Sequence, residues 1–575
     1  RYTLLTAAAP AALLREIYAA LGQTTGEATV DLAGTGPGPA ELIVRETGSG
    51  AIYFRSFLAA SGKVELLLPP GTYTAHANFF PAVVEQPLTI GVGAPAHASL
   101  VDPPKGNVNV RLRDREGRPV PGKVSFFGLD GTPSPFFRTV DPVLGARYWE
   151  SFKNSAFPAA EGSDVALPPG RYQVNGSRGP RQSLDSIAID VRAGSRQDVD
   201  LQVDPVVTTP GWVAVDPHLH TLVSDGSVDV AEKVQALVAE GIDVAVATEH
   251  NHPYDWSPTV ARLGLASQLG VIVGAEVTVP DRLDYNTYPM KIEDTKPNGG
   301  AINSRSIDIA GLFRQSRERD PGVIIQSNHP RGTEYDYLTW HGLDEQDAGS
   351  TRAGFDPSFD VLEVVNGPRL EAEQNVKAKR DWLNLLRRGY FRPLVGSSDS
   401  HEIDRDEPGY SRTYVRYGGP TGQDLDVPAL VEAMRRGHSY ASNGPVVSVV
   451  VNGNAGPGDT VAARDGQVTV AIDVRSPTWA RVDELRLFVN GEERLLEPTL
   501  LEATPARHLQ ARLELRLDRD AFLVVQASGR GTLFPVVQAS PDEGVAPYAL
   551  ANPVFVDTDG NGVFDPPLPH HIATR

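Results

Sequence analysis

The chain has 575 residues, a formal charge of −19 at pH 7, 41% hydrophobic and 22% charged residues, and no cysteine. Its length exceeds one hydrophobic core, so several domains are expected; the acidic balance argues against sequence-independent nucleic-acid binding, and no apolar run of about 18 residues marks a membrane span. Without cysteine, disulfides, zinc fingers and iron–sulfur clusters are excluded, and any metal must be held by imidazole nitrogen and carboxylate oxygen.

The sequence opens Arg1-Tyr2, with nothing nearby that reads as a signal peptide, which fits a removed leader or a trimmed chain. Cysteine avoidance beside β-rich modules points to a periplasmic or secreted setting. Residues 11–18 carry a short helical pattern ending near Gly22. From about residue 27 the pattern changes to short apolar runs broken by Gly and Pro, as sandwich strands read.

Leu68-Pro69-Pro70-Gly71-Thr72-Tyr73 recurs as Leu167-Pro168-Pro169-Gly170-Arg171-Tyr172, a spacing of 99 residues, which predicts two tandem β-sandwiches. In the second, Val108 to Leu112, the turn Asp114-Arg115-Glu116-Gly117, and Val120 to Val124 resemble a carboxypeptidase regulatory-like β-sandwich module. Its expected role is spacer or packing partner, with carbohydrate or cell-surface binding as the alternative.

From residue 212 to about 445 apolar strands alternate with polar loops and helical patterns. Strands are expected at 212–215, 244–247, 271–273, 323–325, 361–365, 393–395 and 413–417. Asp229 caps a helix with Glu232 three residues on, its buried stripe is Val230, Val234, Leu237 and Val238, and Gly241 ends it. Helices are also expected at 305–319, 371–389 and 428–436. Alternation of this kind predicts a parallel sheet covered by helices, closed as a barrel or open. After Asn443-Gly444-Pro445 the chain returns to strands, with Asn490-Gly491 as a hairpin turn, so a last β-sandwich is expected. The domains read as 1–103, 104–207, 208–445 and 446–575.

The polar clusters favour a barrel, because its strand ends converge on one mouth. His218 and His220 alternate beyond a strand and so point to one side. Asp225, His250, Glu276, His329, Asp399 and His401 also lie beyond apolar runs, and five of the 13 histidines fall in this set. Clustered imidazoles and carboxylates are the usual mark of a divalent metal site.

The ordered segments Asp216-Pro217-His218-Leu219-His220-Thr221, Ser224-Asp225-Gly226, Thr248-Glu249-His250-Asn251, Gly274-Ala275-Glu276, Asn328-His329-Pro330 and Ser398-Asp399-Ser400-His401 resemble the successive motifs of the PHP (polymerase and histidinol phosphatase) superfamily, most closely its carbaryl-hydrolase-like (CehA/McbA) branch. The resemblance covers roughly 210–445. It implies a distorted (β/α)7 TIM-like barrel with two or three divalent ions (Zn, Mn or Fe) at its mouth. Residue by residue, it implies that His218, His220, Glu276 and Asp399 hold one ion, that Asp225, His250 and His401 hold another, and that Glu276 bridges toward an ion on His329. Some trinuclear members carry a further histidine between the positions of Glu276 and His329. None stands there in this chain, so two ions are expected. Glu249 stands where Asp is common, tolerable for a carboxylate that is not a ligand.

The implied activity is hydrolysis by a metal-activated hydroxide, with Glu276, His329, Arg331, Asp399 and His401 as the catalytic set. The substrate is expected to be a small, anionic ester, with phosphomono- or diesters first and carboxylic or carbamic esters as the alternative; a non-catalytic extracellular binding protein is the third reading. Arg331, Arg369, His252 and Asn443 are candidate substrate contacts. His341 and Tyr440 are candidates for the pocket wall, and His438 is expected outside it. Asp557, Asp559, Asn561 and Asp565 match positions of a calcium loop, but position 12 is Leu568. A structural calcium site and an ordinary turn both remain open there.

Overall fold

The computed structural model describes residues 10–35, 39–137, 151–279, 283–305, 307–333, 336–346, 348–403, 406–538 and 544–574. The chain divides into two compact units, one of residues 1–112, 124–175 and 186–201, the other of 113–123, 176–185 and 202–575.

The first unit is built from sheets. A three-stranded sheet places Gly26–Ala33 between Ser61–Leu68 and Ala96–Val101, and a four-stranded sheet orders Ile52–Ala59, Pro39–Glu46, Gly71–Asn78 and Val83–Ile90. Their alternating inward residues, among them Val30, Leu42, Ala75 and Leu100, share one apolar core, as sandwich sheets do. The expected helix appears as Pro10–Ala20. The sequence repeat has a structural cause. Tyr73 donates its hydroxyl hydrogen to the Pro69 carbonyl at 2.9 Å, and Tyr172 does the same to Pro168 at 3.0 Å, so each Leu-Pro-Pro-Gly-x-Tyr stretch fastens the start of its own strand.

The second unit holds the α/β part. Its strands are β1 (Trp212–Asp216), β2 (Val244–Ala247), β3 (Gly270–Val273), β4 (Ala275–Val279), β5 (Leu283–Tyr288), β6 (Ile324–Ser327), β7 (Val361–Asn366), β8 (Leu394–Ser397), β9 (Arg412–Arg416) and β10 (Ser439–Ser442). Helices α1 (Val230–Ala239), α2 (Ile309–Arg319), α3 (Glu373–Arg387) and α4 (Val427–Arg435) fall where helical patterns were expected. At α1 the Asp229–Glu232 capping box forms in both directions and Val234, Leu237 and Val238 are buried.

Strand pairing departs from the expected single parallel ring. One sheet orders β3-β2-β1-β9-β10 and continues into Tyr548–Ala551, Ala521–Ser528, Glu484–Val489 and Glu492–Leu496; the other orders β4-β5-β6-β7-β8. The neighbours β1–β2, β2–β3, β6–β7 and β7–β8 are parallel, whereas β9 and β10 are antiparallel and β4–β5 is an antiparallel pair. Isolated bridges Leu219↔Ser400, past the ends of β1 and β8, and His250↔Glu276, between the end of β2 and the start of β4, tie the two sheets. Between β8 and β9 the Thr413 hydroxyl stands in for a backbone rung, accepting from Gly396 N at 3.0 Å and donating to Gly396 O at 2.8 Å. A Cβ at Gly396 would lie 2.7 Å from that of Ala441, so only glycine lets β8 approach β10. Val215, Val244, Ile272, Ile324, Val361, Val395 and Val415 nevertheless share one apolar cluster. Both sheets therefore wall the same core, and the C-terminal ends of β1, β2, β6, β7 and β8 open on one side.

The strands after residue 445 include a four-stranded sheet of Val446–Val451, Gln467–Pro477, Ala506–Arg516 and Thr499–Glu502. Val489 pairs with Glu492 across Asn490 and Gly491, whose φ values of 51° and 86° are the left-handed pair that a two-residue hairpin turn needs. Among the described residues no helix is long and apolar enough to cross a membrane.

Candidate metal centre

Five imidazoles converge where the strands end. His218 and His220 follow β1 and His250 follows β2; His329 follows β6 and His401 follows β8. Glu276 sits on β4 in the middle of them, 1% exposed. Its Oε2 lies 3.2 Å from His218 Nε2, 3.1 Å from His220 Nε2 and 3.4 Å from His250 Nε2, and its Oε1 lies 3.4 Å from His329 Nε2. Asp399 Oδ1 is 3.1 Å from His218 Nε2 and 3.2 Å from His220 Nε2. Asp225 Oδ2 is 3.2 Å from His250 Nε2 and 3.4 Å from His401 Nε2.

These spacings suit a cation. Four ligands about 2.05 Å from a tetrahedral ion stand roughly 3.3 Å from one another. His218 Nε2, His220 Nε2 and Asp399 Oδ1 are moreover buried without a hydrogen-bond partner, and buried orphans of this kind are costly unless an ion satisfies them. The donor atoms fall into three groups able to hold a metal: His218, His220 and Glu276; His220, Asp225, His250 and His401; and Glu276, Asp284 and His329.

Asp284 is the residue sequence reasoning missed. It lies on β5, where it pairs with Thr278 on the strand of Glu276, and its Oδ1 is another buried orphan. A carboxylate thus stands in the third group, where a histidine had been sought. The available signal was an acid in the alternating stretch Leu283-Asp284-Tyr285. Burial, with Glu276 beside it, pushes its carboxyl up to about 6.

The remaining electrostatics follow from the crowding. Burial alone would lower the His218 imidazole, but Asp399, Glu276 and Glu363 outweigh it and raise it well above the ordinary range. His250 is raised to about 9, burial being overcome by Asp225 and Glu276, and His329 and His401 rise for the same kind of reason. Asp225 and Asp399 are held below the usual carboxylate range, burial being overcome by facing imidazoles.

Each imidazole but His220 has its Nδ1 held from behind: His218 by Glu363 at 2.8 Å, His250 by Thr278 Oγ1 at 2.7 Å, His329 by Asp336 at 3.0 Å and His401 by the Asp399 carbonyl at 2.8 Å. That leaves Nε2 facing inward, as metal-ligating histidines require. Glu249, fully buried, accepts from Thr221 N at 3.1 Å and Ser224 Oγ at 2.6 Å. It secures the loop that carries Asp225 and belongs to none of the donor groups. Asp216 accepts from Ser398 Oγ at 2.6 Å and Gly409 N at 2.7 Å, and Lys233 on α1 donates to Ser400 O, Ser400 Oγ and Glu402 O at 2.6–2.8 Å.

The expected substrate contacts are placed differently. Arg331 is buried and forks onto Asp381 of α3, Nε to Oδ2 at 2.6 Å and Nη2 to Oδ1 at 3.1 Å, with Nη2 also on the Leu343 carbonyl. Its donors therefore face the packing under α3. Asn443, also buried, spends its amide on the carbonyls of Pro368 and Ala546 and accepts from Tyr548 N. Arg369 is partly buried, its Nε 3.4 Å from the exposed Glu371. His252 packs edge-on against Tyr254. His341 packs against Tyr337 and Phe355, Tyr440 stacks on Tyr414 in the core, and His438 pairs with Asp459.

In the calcium-like loop, Asp557 accepts from Gly560 N at 2.6 Å and Gly562 N at 2.8 Å, and Asp559 accepts from Asn561 N at 2.9 Å. Asn561 accepts from Val563 N, and the Asp565 backbone donates to Asp520. Asp520, Asp557 and Asp559 bring three carboxylates together, with Asp520 supplied from outside the motif.

No family model matches the chain, and no curated protein does. Among solved structures it is similar to a two-domain protein from Bacteroides vulgatus containing a predicted PHP-like metal-dependent phosphoesterase, at 16% identity over 58% of this chain and 94% of that one, with a TM-score of 0.30. It is also similar to the minor pilin GBS52 of Streptococcus agalactiae, at 10% identity over 32% of this chain and 98% of that one, with a TM-score of 0.21.

Proposed function

We propose that the chain is a metal-dependent hydrolase of ester bonds, working in a periplasmic or secreted setting, and that the two sheets of its α/β part form a distorted barrel between residues 208 and 445. The flanking domains are read as 1–103, 104–207 and 446–575. The observation that supports the activity most directly is the set of orphaned inward atoms on His218, His220 and Asp399 around Glu276.

In this reading His218, His220, Glu276 and Asp399 hold one ion, and Asp225, His250 and His401 hold a second. Glu276, Asp284 and His329 hold a third, revising the two expected from histidines alone. Divalent ions there supply Lewis-acid polarisation of the scissile group and acidify water. The chain's own residues fix the geometry. Glu276 reaches toward all three groups, and the partners behind Nδ1 hold the rings in line. No serine nucleophile is needed. Ser400 is committed to the Glu402 carbonyl and to Lys233, which is how a positioning hydroxyl behaves.

Phosphoesters remain the first substrate class, since clustered divalent ions clamp the attacking and leaving oxygens of phosphoryl centres. The commitment of Arg331 to Asp381 favours the second reading, carboxylic or carbamic esters, because a phosphate-binding fork is withdrawn from the mouth. The test loads the full chain with Mn or Zn and assays nitrophenyl phosphomono- and diesters beside naphthyl esters and carbamates. Phosphoester turnover is expected, with His220→Ala and Asp399→Ala each losing bound ion and activity together. Turnover confined to naphthyl substrates would move the assignment to the second reading; unchanged metal stoichiometry in both variants would sink the site.

A further inference from the structure

We propose that Glu363 is a positioning residue that sets three ion-holding side chains at once, resting on the metal-centre reading above. It lies on β7 inside the apolar run Val361-Leu362-Glu363-Val364-Val365, is 1% exposed, and belongs to none of the donor groups. A carboxylate buried in such a strand needs its lone pairs filled. Here four donors from four segments fill them. Oε1 takes His218 Nδ1 at 2.8 Å and the Ser397 hydroxyl; Oε2 takes the His329 backbone N–H and Asn366 Nδ2, the latter at 3.1 Å.

Each contact leads to a different ligand. The bond to His218 places a ring proton on Nδ1, since a carboxylate has none to give, and so keeps the Nε2 position, beside Glu276 and Asp399, as the one whose lone pair the neutral ring would offer to an ion. The bond to His329 N holds a backbone turned to φ 22°, a conformation that persists only where surroundings impose it. Asn366 relays the third. Its Nδ2 also donates to Asp399 Oδ2 at 2.9 Å, so Oδ2 is occupied and Oδ1 is presented to His218 and His220. Asn375 on α3 supports Asn366, accepting from its backbone N and donating to its carbonyl. The Val361–Asn366 strand thus governs ion-holding side chains beyond the ends of three other strands without supplying one.

Glutamine at 363 has nearly the same shape and cannot satisfy this pattern. With its amide at either oxygen's position, an N–H faces two donors. The experiment measures Zn affinity by chelator competition in wild type, Glu363→Gln, His218→Ala and the double variant. Ion-free melting curves report folding, and Asn366→Ala serves as a second, milder lesion acting through Asp399. Glu363→Gln is expected to weaken binding by about 10- to 100-fold, and by a smaller but still measurable factor on the His218→Ala background, where the contacts to His329 N and Asn366 remain. Asn366→Ala is expected to weaken binding and to lose that effect when Asp399→Ala is present. Wild-type affinity in Glu363→Gln, or an equal fold-loss with and without His218, overturns the proposal. Should Glu363→Gln fail to fold, full affinity in Asn366→Ala overturns it instead. A wild-type chain that takes up no ion overturns the metal-centre reading and this inference with it, an outcome distinct from both.

Discussion

Arg331 separates a residue's place in the sequence from its place in the molecule, and one substitution tests which governs. Arg331→Met keeps the aliphatic stem and removes the guanidinium, leaving Asp381 unpaired with its side chain at 0% exposure. Burial already pushes the Asp381 carboxyl up to about 6 with Arg331 present. Breaking a buried pair by deleting one partner costs about 3–5 kcal/mol. At roughly 2 °C per kcal/mol for a large domain, melting falls by roughly 6–10 °C. The double variant Arg331→Met with Asp381→Leu removes both charges and recovers most of the loss. Arg369→Ala is the control. Its pair with Glu371 reaches solvent, is worth about 0–1 kcal/mol, and its loss shifts melting by about 2 °C at most. Differential scanning calorimetry of the three variants, with KM for an anionic ester, decides the matter. An Arg331→Met protein that melts with wild type yet shows a raised KM would refute the structural role and return the guanidinium to the substrate.

Asp284→Asn should lower saturation from three equivalents of Mn to two, measured by elemental analysis after equilibrium dialysis; wild type saturating at two, with the variant unchanged, would remove the third ion. Ion uptake should release protons at pH 7 in weakly buffered solution, because His250 titrates near 9 and His218, His329 and His401 are raised as well, whereas a ligand imidazole must be neutral. Affinity therefore rises from pH 6 to 9. The ion-free protein follows the opposite sign: the raised His250 contributes stability present in full below 6.5 and lost as pH climbs through 9. Chelator-treated protein should melt lower at pH 9 than at 6.5, and a flat profile together with no proton release would contradict these assignments.

Much of the α/β part was legible because its signals are local. The apolar tetrad Val244–Ala247 became a strand with the expected bounds, and Asp229 with Glu232 formed the expected capping box. The β4–β5 hairpin was not legible. Its apolar alternation is short, Ala275, Val277 and Val279 on one strand and Leu283 and Tyr285 on the other, and gives way to buried Asn286 and Thr287 beside the partly buried Asp284. Asn286 is satisfied by the Pro217 carbonyl and by Asn328, partners far away in sequence. The same limit hid Asp284 as a donor, since its meeting with Glu276 is a cross-strand event. Arg331 shows the reverse error. Its position two residues after His329 implied a common direction, and Asp381, 50 residues on, turned it inward.

The centre also bears on why so many ionic groups are buried beneath it. Asp399 and His329 have φ of 51° and 22°, conformations that cost on the order of 1–3 kcal/mol each and relax unless over-determined. Their loops lie past the strand ladders, so backbone pairing cannot supply that constraint beyond two isolated bridges. Asp216, Lys233 and Glu363 supply it, each holding several loop groups, and Glu249 does the same for the loop of Asp225. Burying such groups is expensive, and apolar packing of equal volume would often stabilise a fold more. Apolar side chains are non-directional, however, and could not fix which nitrogen of His218 carries the proton or which oxygen of Asp399 faces inward. On the proposed metal-centre reading, stability of the ion-free protein is given up for orientation of the inward donor atoms, and ions would return it by mass action.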